Sequence, residues 1–356
     1  MTSDLKNIKI LFLVKTMDVG GAERFTLNLA KHFAARTKGV TVASSGGIFV
    51  DELRKNGIKH IRLNNRPEII NIIPLYYELK RIIKEDDYTI IHCQHRIFTF
   101  LVQLIWKRKF FLLYTAHNVF NDLFQKIIFP DLAIAVSHTI KLNLLKTFYI
   151  SKNKINQINN GVGIPDNKKS VSKVLTIGFI GRLIKEKGIF NLLEAVKILT
   201  EKRSDFRLII RGKGETEKIS EYIRLNNLNN LVSIALVSNV EKEIYMSIDI
   251  LILPTKMNEG LPLSILEAAA RGILVVSTKE GGIEDFIDNR KTGILLDSVE
   301  PKQLADSIED IIENYNSYSG IIENARNKVI NDFSIDQMTV KYEELYSKTL
   351  QNTTSR

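Results

Sequence analysis

The chain is poor in cysteine and has no long apolar run. Cys93 is the single cysteine among 356 residues, so no internal disulfide can form and a reducing compartment is the default. No segment approaches the roughly 18 uninterrupted apolar residues that a membrane span needs. The start, Met1-Thr-Ser-Asp-Leu-Lys followed by Ile8–Val14, lacks the basic opening, apolar stretch and cleavage site of a secretory signal. These absences lead to the expectation of a cytoplasmic protein. Val19-Gly-Gly-Ala-Glu23 falls short of G-x-G-x-x-G, which leaves a nicotinamide dinucleotide site without support. His92, His95 and His117 are not spaced as metal ligands on one helix face, and Cys93 alone makes no zinc site. No metal and no cofactor are assigned. Common nucleic-acid motifs are missing too, as is any basic run interleaved with exposed aromatics.

What is present is a globular composition, 44% hydrophobic and 25% charged, with a mean hydropathy of −0.03. The length suits two domains of comparable size. The net charge of +10 is uneven: residues 1–170 carry 26 Lys+Arg against 13 Asp+Glu, net +13, and residues 171–356 carry 24 against 27, net −3. One half is therefore suited to an anionic partner.

Short apolar runs alternate with amphipathic stretches, the pattern of parallel βαβ units. In the first half the expected strands are Ile8–Val14, Val40–Ser44, Ile58–Leu63, Thr89–Cys93, Phe111–Ala116 and Leu132–Ser137, with helices such as Ala22–Ala35 and Ile72–Lys84 between them. In the second half they are Leu175–Gly181, Phe206–Arg211, Val232–Ala235, Ile248–Leu253 and Leu274–Ser277. Two such sets imply two doubly wound sheets. The polar, proline-containing segment 164–174 is the expected join, and Gln337–Leu350 reads as a final, largely polar helix.

Four segments stand at strand ends, where open α/β sheets bind ligands. In Pro254–Gly272, Pro262 suits a helix's first turn. The amides of Leu263 and Ser264 would then face outward at the positive end of the helix dipole, a place for a diphosphate. Glu259 stands just ahead, and Glu267 lies within the helix among Ala268, Ala269 and Ala270. From spacing alone Glu267 suits either the hydroxyls of a sugar or ribose, or an ion pair with a basic neighbour. In Gly178–Gly188 a strand leads to a basic loop where Arg182 offers a planar fork, Lys187 a point charge and Lys185 another. Gly20 and Gly21 follow the first strand and admit close backbone approach. His117 and Asn118 follow the fifth. His92 and His95 flank the fourth, with Arg96 adjacent.

In order along the chain, Gly20-Gly-Ala-Glu23, Thr115-Ala-His-Asn118, Val136-Ser137, Asn160-Gly-Val162, Gly181-Arg182…Lys187-Gly188, Gly212-x-Gly214, Glu259-Gly-x-Pro262…Glu267-Ala-x-Ala…Gly272 and Gly281-Gly282 resemble the family of retaining GT-B glycosyltransferases numbered four, the group 1 glycosyl transferases. The resemblance spans roughly residues 8–290, and its Glu-x7-Glu spacing is the most specific part. It implies an α/β fold of two doubly wound Rossmann-like domains facing each other across a cleft. Residues 1–168 would form an acceptor domain and 169–335 a nucleotide-sugar domain, with a helix at 336–356 returning to the first. It further implies that Arg182 and Lys187 hold the donor diphosphate and steady the leaving nucleotide. Glu259 would take the donor sugar's hydroxyls, and the segment Gly260, Leu261, Leu263 and Ser264 would lie near the distal phosphate. Glu267 would take the ribose, Gly20 and Gly21 would line the donor site, and His117 would stand at the reaction centre. His95, Arg96 and Asn118 fall on the acceptor side.

The family implies retention of anomeric configuration without a metal. No carboxylate nucleophile is evident, so same-face displacement assisted by the leaving phosphate is the expected mechanism. UDP-sugar is favoured and GDP-sugar is possible. Departures from the family pattern are Ile273-Leu274 after Gly272, Gly281-Gly-Ile-Glu-Asp285 for the common Gly-Gly-x-x-Glu, and no glycine near Ala235-Leu-Val237. The expected partners are a nucleotide-sugar donor, a glycan or polyprenyl-pyrophosphate-linked acceptor in cell-surface polysaccharide synthesis, and the anionic inner membrane surface. Phe98–Phe110 and Val119–Pro130 mix apolar and basic residues as surface helices would, though Phe98–Trp106 reads equally as a buried crossover helix. Rival readings are a sugar-nucleotide epimerase of the same fold and a catalytically lost membrane scaffold.

Overall fold

In the computed structural model, residues 5–106, 109–147, 151–235 and 241–353 are described. Lys107 and Arg108 of the basic stretch, and Leu236 and Val237 of the strand without glycine, lie outside them. The chain divides into two compact units, Met1–Gly161 with Ile335–Arg356, and Val162–Ser334.

The first unit is a seven-stranded sheet of β1 (Lys9–Leu13), β2 (Gly39–Ser44), β3 (Lys59–Arg62), β4 (Ile90–Cys93), β5 (Phe111–Ala116), β6 (Leu132–Ala135) and β7 (Ile155–Gln157). Its order is β3-β2-β1-β4-β5-β6-β7, with every pairing parallel. Both faces are apolar, as a parallel sheet covered by helices requires. Leu11, Leu13, Ile91 and Cys93 enter one core, while Ile10, Phe12, Val42 and Ile90 enter the other. That second core also takes Met338, Tyr342, Leu345 and Tyr346 from the helix Ile335–Thr353. Tyr346 stacks on Phe33 with ring centroids 4.7 Å apart, and its hydroxyl meets His92 Nδ1 at 2.7 Å. At the rim, Glu343 Oε1 lies 2.7 Å from His32 Nε2 and 3.1 Å from Arg36 Nε. The last helix is thus part of the first unit's core.

The second unit holds β8 (Leu175–Ile180), β9 (Phe206–Arg211), β10 (Val232–Ala235), β11 (Ile250–Leu253), β12 (Leu274–Thr278) and β13 (Ile294–Leu296). They lie in the order β10-β9-β8-β11-β12-β13, again all parallel, around one core. The order of each sheet reverses once, between β1 and β4 and between β8 and β11. Crossovers leave a crevice at such a switch point, outside the strands' carboxyl ends.

Three expectations need correction. Strands β7 and β13 did not stand out in the sequence, because three residues at a sheet edge carry almost no periodic signal. The division between units falls at Gly161/Val162 and Ser334/Ile335, not at 168 and 335. Val162 N donates to Phe333 O at 2.9 Å, and segment 164–174 docks on the second sheet, with Lys169 N donating to Arg271 O at 2.9 Å. Phe98–Phe110 is also no free surface helix. Its helix, Arg96–Gln103, buries Phe98, Leu101 and Val102 as a crossover, and of its apolar residues Leu104 and Trp106 are the exposed ones.

That docked segment is tied by a buried charge. Asp249, just before β11, accepts from Ser172 N at 3.0 Å and Thr176 N at 2.9 Å and pairs with Lys169, the two side chains being 1% and 3% exposed. Removing one member leaves the other charge buried and unpaired. Asp249→Ala is expected to destabilise the second unit by about 3–5 kcal/mol, measured by urea unfolding. A loss below about 1 kcal/mol would mean that Lys169 escapes to water.

Candidate active site

At the second unit's switch point, the loop after β8 and the loop after β11 are pressed together. Gly188 follows the 3-10 turn Lys185–Lys187 and opens the helix Ile189–Thr200 with φ +76°. A Cβ there would lie 1.9 Å from Pro254 O. Gly281, at φ +63°, sits against the next loop, and its Cβ would fall 2.0 Å from Glu259 O. The same carbonyl accepts from Gly282 N at 2.8 Å. Only glycine fits either place, by backbone conformation and by space.

These contacts bring Lys187 and Glu259 into an ion pair with side chains 8% and 12% exposed. Burial pulls the Lys187 ammonium down from its usual range, and Glu259 acts to hold its proton on. Glu259 Oε1 accepts no hydrogen bond besides this ion pair. Arg182 is exposed, its Nη2 3.6 Å from Met257 Sδ. Its guanidinium is turned toward the loop that carries Glu259 and has no carboxylate partner among the described residues.

The helix Leu263–Ala270 begins one residue later than expected. Pro262, at φ −62° and ψ 122°, is its N-cap and lies outside the first turn, with no side chain capping the end. Ile265 N turns back to Pro262 O at 3.2 Å. The amides of Leu263 and Ser264 have no acceptor among the described residues, and two such N–H groups at a helix start attract an anion. Glu267 is half-buried and accepts from Tyr245 Oη at 2.6 Å. The basic neighbour open to it, Arg271, instead donates to the Glu267 backbone carbonyl at 2.7 Å and covers the Tyr245 ring at 4.7 Å. In the Gly281–Asp285 segment, Glu284 is exposed and Asp285 half-buried on the short helix Ile283–Phe286.

The first unit's switch point holds different chemistry. Gly20 is the extended N-cap of the helix Gly21–Ala34, and Gly21 is exposed. Glu23 folds back over Gly20 and accepts from Thr16 Oγ1 at 3.0 Å, burial raising its proton affinity. His117, just past β5, packs its ring edge-on to Phe25 at 5.1 Å. Its Nε2 lies 2.8 Å from Gln94 Oε1. Gln94 was absent from the sequence reading, although it stands one residue past β4 as His117 does past β5. His95 caps the helix Arg96–Gln103, its Nδ1 accepting from Ile97 N at 3.3 Å. Arg96 pairs with Asp122 at 2.5 Å and lies 4.0 Å over the Phe120 ring, so it is engaged within its own unit. Asn118 is exposed. His92 is fully buried between Tyr346 and Thr115, whose Oγ1 is 2.6 Å from Nε2.

Comparison with known proteins bears on the family and the fold. Residues 164–328 match the family Glycosyl transferases group 1, and residues 19–164 match Glycosyltransferase Family 4. The chain belongs to the group 1 glycosyl transferases. It is similar to the capsular polysaccharide biosynthesis glycosyltransferase CapM of Staphylococcus aureus, 29% identical over 60% of this chain and 60% of that relative's length. A glycosyltransferase structure from Rickettsia africae is 26% identical, with a TM-score of 0.81 over 97% of this chain and 99% of that one. Anabaena HepE in complex with UDP-glucose is 21% identical, with a TM-score of 0.83 over 96% and 100%. It shares the two-sheet GT-B fold of the group 1 enzymes.

Burial keeps three histidines of the first unit neutral. His92 is held down to about 3, His95 to about 4 with help from Lys15 and Arg96, and His117 to about 4. Unfolded, each would titrate near the ordinary 6.5. Below that pH the unfolded chain binds the extra protons, so their contribution is full above about 6.5 and is lost as pH falls toward 4. Each histidine is expected to cost of the order of 1–2 kcal/mol by pH 5. Thermal midpoints measured from pH 7 to pH 5 should fall; a flat profile would mean that the imidazoles titrate normally.

Proposed function

We propose that the protein transfers a sugar from a nucleoside diphosphate sugar, UDP-sugar in the first place, to a glycan acceptor in cell-surface polysaccharide synthesis, with retention at the anomeric carbon and without a metal. One observation carries this reading. Arg182, the Lys187–Glu259 pair, the open amides of Leu263 and Ser264, and Glu267 all stand on two adjacent strand-end loops of one switch point and the helix that follows the second. Cations and amides suit a diphosphate, a carboxylate beside them suits sugar hydroxyls, and a second carboxylate suits a ribose. The capsular relative and the UDP-glucose-bound neighbour support the choice of pathway and donor.

In this reading the bond from the sugar's anomeric carbon to the β-phosphate oxygen breaks as negative charge gathers on the diphosphate. Arg182, Lys187 and the helix amides meet that charge. The acceptor hydroxyl attacks from the face the phosphate leaves, and the departing phosphate oxygen takes its proton. Before the donor binds, Glu259 neutralises Lys187; once phosphate does so, Glu259 is released to the sugar. Neutral His117 takes part as a hydrogen-bonding group rather than a cation.

We further propose that the first unit meets an anionic membrane surface through exposed apolar residues. Ile70, in the turn just before the helix Ile72–Lys84, and Ile73 and Tyr77 on its first turns, exposed by 86%, 72% and 64%, precede Lys80, Arg81 and Lys84 on that helix. In the parallel sheet this helix starts at the strands' carboxyl edge, the edge that carries His117. Exposed apolar residues followed by basic ones suit an anionic bilayer.

Isothermal titration with UDP, GDP and ADP tests the donor class. Arg182→Ala is expected to weaken UDP about 10- to 100-fold while leaving uridine nearly unaffected; equal losses would remove Arg182 from the phosphate. Glu259→Gln should cut turnover on the order of 100-fold with affinity for UDP kept or raised, and unchanged turnover would remove Glu259 from the sugar. Sedimentation with phosphatidylglycerol vesicles should lose about tenfold in binding when Ile73 and Tyr77 are changed to Ser. Equal binding to neutral phosphatidylcholine vesicles would exclude the charge contribution.

A further inference from the structure

His117 and Gln94 are adjacent across two strands. β4 and β5 run parallel with Cys93 opposite Tyr114, so Gln94 and His117 both emerge at the carboxyl edge, beside the β1/β4 switch point. Gln94 is 6% exposed, and its backbone N–H is tied to Leu13 O of β1 at 2.8 Å. With the Gln94 backbone anchored and the His117 ring edged by Phe25, the two side chains meet through Oε1 and Nε2 at 2.8 Å. A carbonyl oxygen can only accept, so the imidazole nitrogen facing it carries the proton. Nδ1 then has a lone pair and no partner among the described residues.

The other end of the carboxamide sharpens the point. Gln94 Nε2 is buried and has no acceptor. An orphaned buried donor costs stability, so an apolar side chain of the same length would serve packing better. The oxygen end is what Gln supplies and Met would not.

We propose that Gln94 is a positioning residue that holds His117 in one tautomer, with Nε2–H toward Gln94 and the Nδ1 lone pair presented to substrate. This rests on the reading that His117 takes part in sugar transfer. The lone pair then accepts a hydrogen bond from a hydroxyl, and the opposite tautomer would offer a donor in its place. The choice between the two is a second-layer effect of the kind that sets histidine chemistry elsewhere.

Two readouts test it. Nitrogen-15 spectra of histidine-labelled protein, with His117 assigned from the His117→Ala spectrum, report the tautomer directly at alkaline pH, where an ordinary imidazole is neutral. The wild type should show protonated Nε2 and bare Nδ1. Gln94→Met should give a mixture or the opposite tautomer, while melting no lower than wild type. Gln94→Glu, which keeps an oxygen in place, should restore the wild-type tautomer. With an active donor and acceptor, Gln94→Met should lower kcat on the order of 10- to 100-fold with KM for the donor within about twofold. A wild-type protein protonated at Nδ1, a Gln94→Met protein with the wild-type tautomer, or one with undiminished kcat overturns the proposal. If no nucleotide sugar supports transfer, the functional reading alone fails, and the spectra still decide whether Gln94 sets the tautomer.

Discussion

Backbone pressed against backbone is what the donor unit depends on. Gly188 lies under the Pro254 carbonyl and Gly281 under the Glu259 carbonyl, each closer than any side chain would allow. These two approaches lock three successive strand-end loops into one body. Once they are locked, Lys187 and Glu259 are carried out of water together, and neither can leave without stranding the other. A pair of this kind adds little net stability compared with apolar packing. Its effect is to hold a cation and a carboxylate ready at a defined place.

The two units share a topology and differ in electrostatics. Each has one reversal of strand order, and each has candidate site residues just past the carboxyl ends of the strands beside it. In the second unit the charges survive burial because they are paired. In the first, His92 and His117 have no carboxylate paired with them, and desolvation keeps them neutral. What remains there is a set of neutral hydrogen-bonding groups whose orientation carries the chemistry. Orientation is then set by neighbours such as Gln94 and Phe25, not by charge.

The last helix shows how a polar-looking segment becomes core. Met338, Tyr342, Leu345 and Tyr346 are the apolar residues it sends into the first unit's core, and they lie at helical spacing. Tyr346 also gives buried His92 a partner, which an apolar face could not do. Read alone the segment is a solvent-facing helix; against the sheet it completes a layer.

The sequence by itself determined the two sheets, most strand positions, and which charged residues stand at the strand ends of the candidate site. Long apolar runs can be satisfied only inside a parallel sheet, and glycines, prolines and charges at strand ends mark the loops that such a sheet exposes. Arg182, Lys187, Glu259 and Glu267 were legible for that reason. Tertiary structure alone decided who meets whom. It paired Lys187 with Glu259, gave Glu267 a tyrosine instead of Arg271, tied Arg96 to Asp122, and set Gln94 beside His117. It also placed edge strands β7 and β13 and moved the division between units to Gly161. Three residues at an edge carry too little periodicity to read, and a neutral glutamine carries no charge to notice. Both become informative only when another strand lies next to them.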